Sequence, residues 1–234
     1  MARIICVMGE SGSGKTTSLR NLDPEHTYIV DADKKGLGWR GWKRSFSPDA
    51  RNYFACDDYR LLLSRKETVG GRAEEVPGLL DVIDAGNTAN RIDVLVVDTL
   101  NGLMVADEAR RRKERGYDKW EDLAWSVWGV IDRALTMRDD LTVIFTAHTQ
   151  TERDDSGFVS TRIKTSGKKL DKIVLESKFT TVLLCTVVDG EHVFVTEREN
   201  TTAKAPIGAL PKQLPNDIVP VIEALEAYES GEEE

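Results

Sequence analysis

The chain has 234 residues with a formal net charge of −8, 40% hydrophobic residues and 31% charged residues. That size suits one α/β domain with a sizeable core, and no apolar run approaches the ~20 residues of a membrane span. The acidic balance rules out a chain coated in positive charge but not a local basic patch. An apolar stretch begins within a few residues of Met1, so no signal peptide is expected. Cys6, Cys56 and Cys185 are scattered without metal-ligand spacing and read as buried free thiols of a reducing, cytoplasmic setting.

Ile4 to Thr17 reads as a short apolar strand running into a loop that fits G-x-x-x-x-G-K-[ST]. A loop that wraps a polyphosphate must aim several backbone N–H groups at one point, and glycine permits that curvature. Gly9, Glu10, Ser11, Gly12, Ser13, Gly14, Lys15, Thr16 and Thr17 are therefore the expected nucleotide cradle. Lys15 reaches the β- and γ-phosphates and the Thr16 hydroxyl ligates Mg²⁺. A helix is expected from about Thr16 to Asn21, its positive end toward the phosphates.

His26 to Asp31 reads as a second buried strand, ending in Asp31-Ala32-Asp33-Lys34-Lys35-Gly36. Carboxylates at a strand's carboxyl end sit where ligands bind in open parallel sheets. Asp33 is the candidate to orient and deprotonate an attacking water; a plain Asp/Gly turn is the other reading. The run follows the phosphate loop by one crossover, so adjacent strands of a βαβ unit are expected to bring it near. Residues 36–50 read as an exposed loop with aromatic character, Asn52 to Cys56 as a short strand, and Asp58 to Lys66 as a helix start. Turn signals follow at Val69-Gly70-Gly71-Arg72 and Val76-Pro77-Gly78, then a helix from Leu79 to Ala85.

Arg91 to Thr99 contains a continuous β-branched run ending in an acid, the pattern of a buried parallel strand with a carboxylate at its tip. In phosphate-loop proteins such an acid holds the Mg²⁺ shell, which assigns Asp98. Leu103 to Leu135 reads as mostly helical. Its run Arg110-Arg111-Arg112-Lys113, with Trp120, Trp125 and Trp128 nearby, fits either a solvated face over core aromatics or a phosphate-tracking patch. Leu141 to His148 is another buried strand, and His148 is either a γ-phosphate sensor or a hydrogen-bonded structural histidine.

Residues 149–172 show little hydrophobic periodicity and suggest mobility. Arg162, Lys164, Lys168, Lys169 and Lys172 make this the best candidate for a loop contacting single-stranded DNA; a lysine-bearing lid over the nucleotide is the rival. Thr180 to Val188 and His192 to Thr196 flank Asp189-Gly190-Glu191 as a hairpin. Ile218 to Tyr228 reads as a last amphipathic helix, before the acidic tail Glu232-Glu233-Glu234.

This order of motifs, with Ala203-Lys204-Ala205-Pro206 and Leu214-Pro215-Asn216-Asp217-Ile218 near the end, resembles the phage-encoded RecA-like ATPases. It is similar specifically to the core-only single-strand annealing proteins of the fourth Sak group. The resemblance spans nearly the whole chain. It implies a RecA-like phosphate-loop NTPase core over 1–230, with a mainly parallel central sheet, flanking helices and a C-terminal antiparallel hairpin, and an acidic tail at 231–234. It implies ATP and Mg²⁺ as ligands, single-stranded DNA as partner, and assembly as a homo-oligomeric ring or filament, with a single-strand-binding protein as a further partner. It also implies strand annealing in the cytoplasm of a phage host, with no membrane. Asp33 stands at the place of the related recombinases' catalytic Glu, one methylene shorter, and His148 at that of their γ-phosphate-sensing Gln. Arg198 and Lys204 match cations that act across a subunit interface. Two alternatives stay open: a phosphate-loop kinase of a small molecule or nucleotide, and a non-catalytic, nucleotide-gated assembly protein.

Overall fold

The computed structural model describes residues 1–86, 92–114, 118–153, 157, 159–165, 174–197 and 199–231. Alternation within the apolar runs dictates the architecture. In β1 (Arg3–Gly9), Ile4, Cys6 and Met8 face one side of the sheet while Ile5 and Val7 face the other, and all five are buried. A strand buried on both faces needs cover on both. One face is covered by α2 (Leu79–Ala85), α3 (Leu100–Arg110) and α4 (Asp118–Leu135), through Leu80, Leu103, Met104, Val130 and Ile131. The other is covered by α5 (Val219–Ser230) and the segment carrying Leu37 and Phe46. Phe46 is buried and the partly buried Trp39 and Trp42 pack against this second layer, while most other residues of the 36–50 loop are exposed, as expected.

Among the described residues the main sheet has nine strands. β9 (Thr181–Val188), β1, β7 (Thr142–Arg153), β6 (Val94–Asp98), β2 (Thr27–Asp31) and β3 (Tyr53–Ala55) run parallel in that spatial order. Beyond β9 lie β10 (Glu191–Val195) and β11 (Gln213–Pro215), both antiparallel to their neighbours. β8 (Val159–Ile163) folds back on the far half of β7. This is the expected α/β class: a mainly parallel sheet between helices, closed by the antiparallel C-terminal hairpin. Cys6, Cys56 and Cys185 are buried free thiols. Among the described residues no helix is long and apolar enough to cross a membrane.

Several local expectations are corrected. Asp31 is not on a strand adjacent to β1, since β7 and β6 lie between β1 and β2. The segment after the phosphate loop is a 3-10 turn at Thr17–Leu19 rather than a helix over 16–21. The crossover explains it. Residues 17–26 must travel three strand spacings sideways, about 14 Å, and return along the sheet. Ten helical residues rise only about 15 Å in total, and Pro24 opposes helix as well. The helix expected at Asp58 to Lys66 is a single turn, α1 (Tyr59–Leu62), capped by Asp58. It gives way to a separate hairpin, β4 (Arg65–Val69) and β5 (Arg72–Val76), turned at Gly70-Gly71. The 103–135 region is two helices, and β7 continues to Arg153 into ladder pairing with β8, where mobility is expected from the sequence.

The parallel strands end on one edge. Register sets Gly9 beside His148, and Asp98 beside Asp31. α3 enters this edge directly after Asp98, capped by Thr99. It comes so close to the end of β2 that a Cβ on Gly102 would lie 2.7 Å from the backbone carbonyl of Ala32 and from Asp33 Oδ1. Gly102→Ala is expected to force the helix off the sheet edge and destabilise the protein by about 1–3 kcal/mol. Thermal unfolding checks this, at about 2–4 °C of Tm per kcal/mol for a chain of this size.

Candidate functional site

The loop after β1 turns tightly at the carboxyl end of the strand. Gly14 has φ 106°, and a Cβ there would press within 3.1 Å of His192 and Asn216, so glycine is needed twice over. Lys15 Nζ donates to the carbonyls of Gly9 and Glu10 at 2.8 and 2.7 Å. The loop is braced from behind by the C-terminal hairpin: Cys185 Sγ donates to Ser13 O at 3.1 Å, and His192 Nδ1 lies 2.7 Å from the same oxygen. A cavity of about 320 Å³ opens over the loop, floored by Ser11, Gly12 and Gly14 to Thr17 and walled by Lys35, His148 and His192. Glu10 and Ser13 line a second cavity, which shares Ser11 and Gly12 with the first and includes threonines of β7, β8 and β9.

Asp98 is fully buried at the tip of β6. Thr16 Oγ1 donates to its Oδ2 at 2.8 Å, and the Thr146 hydroxyl donates to its Oδ1. A hydroxyl and a carboxylate held together are hard oxygen donors. They fit Mg²⁺, which is commonly held by one or two protein oxygens plus substrate phosphates. Thr16 and Asp98 would hold the ion, which when bound would supply positive charge to offset that of the phosphates.

Asp33 stands next to this pair. It accepts from Thr99 Oγ1 at 3.2 Å and from Lys35 Nζ at 2.6 Å. His148 closes the same wall. Its backbone N–H donates to Asn101 Oδ1, its carbonyl accepts from Lys164 N–H, and Asn101 Nδ2 donates to Lys164 O, all at 2.7–2.8 Å. The structure thus brings Lys15, Thr16, Asp33, Asp98 and His148 to one edge. Sequence reasoning missed Lys35, His192, Thr146 and Asn101. Only the lysine pair after Asp33 carried any signal, and Asn101 was hidden inside an ordinary helix start.

The electrostatics follow from burial. Lys15 is buried, which pulls its ammonium below the usual lysine range, although the negative fields of the Asp98 and Asp33 carboxylates oppose the change. Burial, and then the charge of Lys15, lower the pKa of His148.

The remaining expected contacts are placed less centrally. Arg162 is ion-paired to Glu152 across the β7–β8 ladder at 2.8 Å, and Lys164 is exposed at the end of β8. Lys168, Lys169, Lys172 and Arg198 lie outside the described residues. Lys204 is exposed and bridges to Val182 through its backbone. In the arginine run, Arg110 pairs with Asp57, and Arg111 with Glu114 and Asp122. Trp128 packs against the core while Trp125 is 54% exposed. For these two arginines the paired surface reading fits better than a phosphate track.

The His148 shift has a signed consequence. A folded-state pKa below the ordinary 6.5 means that the denatured chain takes up this proton first. Stability is therefore lost as pH falls below the ordinary value and regained as pH rises to it. His148→Gln is expected to lose less Tm than the parent between about pH 7.5 and about pH 5.5; equal losses would contradict the shift.

A family model described as AAA domain matches residues 1–207. No curated protein matches the chain. The matched span contains the phosphate loop, the Asp98 strand tip and every residue walling the cavity. The chain belongs to the AAA domain family of P-loop ATPases.

Proposed function

We propose that this protein hydrolyses ATP and uses the nucleotide to control its grip on single-stranded DNA, promoting strand annealing in phage recombination. The single observation that carries the ATP half is the Thr16–Asp98 hydrogen bond beside Lys15 and Asp33. Lys15 offsets phosphate charge, and Asp33 orients the attacking water. The water oxygen bonds to the γ-phosphorus as the bond to the β,γ-bridging oxygen breaks. That electron pair leaves on ADP, and the water proton passes to Asp33 and on to solvent.

The DNA half rests on the sequence 162–172 and on its attachment. Lys164 is tied by backbone and Asn101 bonds to His148, which walls the phosphate cavity. A change in His148 on nucleotide binding thereby has a short route to the segment bearing Lys168, Lys169 and Lys172. A homo-oligomeric ring or filament, with Arg198 or Lys204 presented to a neighbour's nucleotide, completes the proposal.

Lys15→Ala is expected to abolish ATP turnover measured with single-stranded DNA present; retained turnover refutes the site. Neutralising Lys164, Lys168 and Lys169 together is expected to weaken single-strand binding and lower its salt slope by about 0.7 per lost phosphate contact. An unchanged slope would move the DNA site elsewhere, and stimulation of ATP loss by a small phosphoryl acceptor instead of DNA would favour a kinase.

A further inference from the structure

Two lysines follow Asp33, and the turn that carries them treats them differently. Asp31 is fully buried, and its Oδ2 accepts from the Gly36 N–H at 2.7 Å and from the Tyr53 hydroxyl at 2.6 Å. These bonds pin both ends of a tight turn in which Lys34 and Gly36 have left-handed φ of 55° and 78°. Lys34 is directed to Asp57, at 2.9 Å. Lys35 is directed into the wall of the phosphate cavity, with Lys15, Thr16 and His148. The chain beyond the turn stays against the phosphate loop: a Cβ on Gly38 would sit 3.6 Å from Thr17 Oγ1.

From this juxtaposition we propose that Lys35 is a second catalytic cation, acting on the γ-phosphate in the same subunit whose loop holds the nucleotide. The assignment rests on the ATPase reading above. Lys35 Nζ lies 2.6 Å from Asp33 Oδ2, so the carboxylate that orients water and the ammonium that meets phosphate are one ion pair. A γ-phosphate competes with Asp33 for this ammonium. When Lys35 turns to the phosphate, one Asp33 oxygen is released to accept a hydrogen bond from the water. ADP offers no γ-phosphate, and the Asp33–Lys35 pair stays closed. Burial works against charge on Lys35, but its hydrogen bond to Asp33 and the fields of Asp98, Asp33 and Asp31 prevail, holding the ammonium above the usual lysine range. The charge is thus available before any neighbouring subunit supplies one.

The test compares Lys35→Ala, Lys35→Arg and, as a control on the same turn, Lys34→Ala. Equilibrium affinities for Mg·ATP and Mg·ADP are measured beside steady-state turnover. Lys35→Ala is expected to weaken ATP binding roughly 10- to 100-fold, the worth of one charge-assisted hydrogen bond, with ADP affinity unchanged. Its kcat is expected to fall roughly 100-fold. Lys35→Arg should recover most of the ATP affinity, and Lys34→Ala should match the parent. Equal losses for ATP and ADP in Lys35→Ala, or turnover within about twofold of the parent, would overturn the assignment. If Lys15→Ala also retains turnover, the ATPase reading has failed; if Lys15→Ala is inactive while Lys35→Ala behaves as the parent, only the Lys35 assignment has.

Discussion

The Thr16 hydroxyl and the Asp98 carboxylate are separated by 82 residues and by 2.8 Å. Nothing local draws them together. Their contact requires β1 and β6 to run parallel with β7 between them, so that both strand tips reach the same edge in step. Asp98 is fully buried, and a buried carboxylate is tolerated only when it is hydrogen-bonded. The hydroxyls of Thr16 and Thr146 satisfy it, one from the loop after β1 and one from β7. The same oxygens are the hard donors that Mg²⁺ requires. The constraint that stabilises this part of the sheet edge is therefore also the one that gathers the oxygens that would hold such an ion.

A second buried carboxylate, Asp31, sits directly beside Asp98 in register. Its role is different. It anchors a turn and so fixes the direction in which Asp33 and Lys35 leave the sheet. Gly102 lets α3 close against that turn, and Thr99 both caps the helix and donates to Asp33. The wall of the phosphate cavity is thus set by backbone geometry at two strand ends. Backbone placement of this kind is what electrostatic catalysis draws on, since it limits how far charged groups must move.

What could be read from the sequence followed from how local the signals are. The strands carrying Gly9, Asp98 and His148 were legible because strands buried on both faces read as continuous apolar runs. The loop from Gly9 to Thr17 was legible because its spacing serves a single purpose. The crossover after it was misread, because its form depends on how far away β2 lies, and the order of strands is a tertiary fact. For the same reason Asp33 reaches the site for a different cause than adjacency of β1 and β2: the sheet edge gathers the ends of all its parallel strands. Lys35, Asn101 and His192 escaped because each looks ordinary beside its sequence neighbours; only the fold turns one to the cavity, one to His148 and one to Ser13. The β8 ladder was missed because its residues alternate weakly and are only partly covered.

The measurement that bears most directly on this account is the Mg²⁺ dependence of ATP binding in the parent and in Thr16→Val, which keeps the side-chain shape and removes the hydroxyl. Mg²⁺ is expected to tighten ATP binding to the parent and to have little effect on the variant. An equal gain from Mg²⁺ in both proteins would contradict it, because the ion would then be held without the oxygen pair on which the site is built.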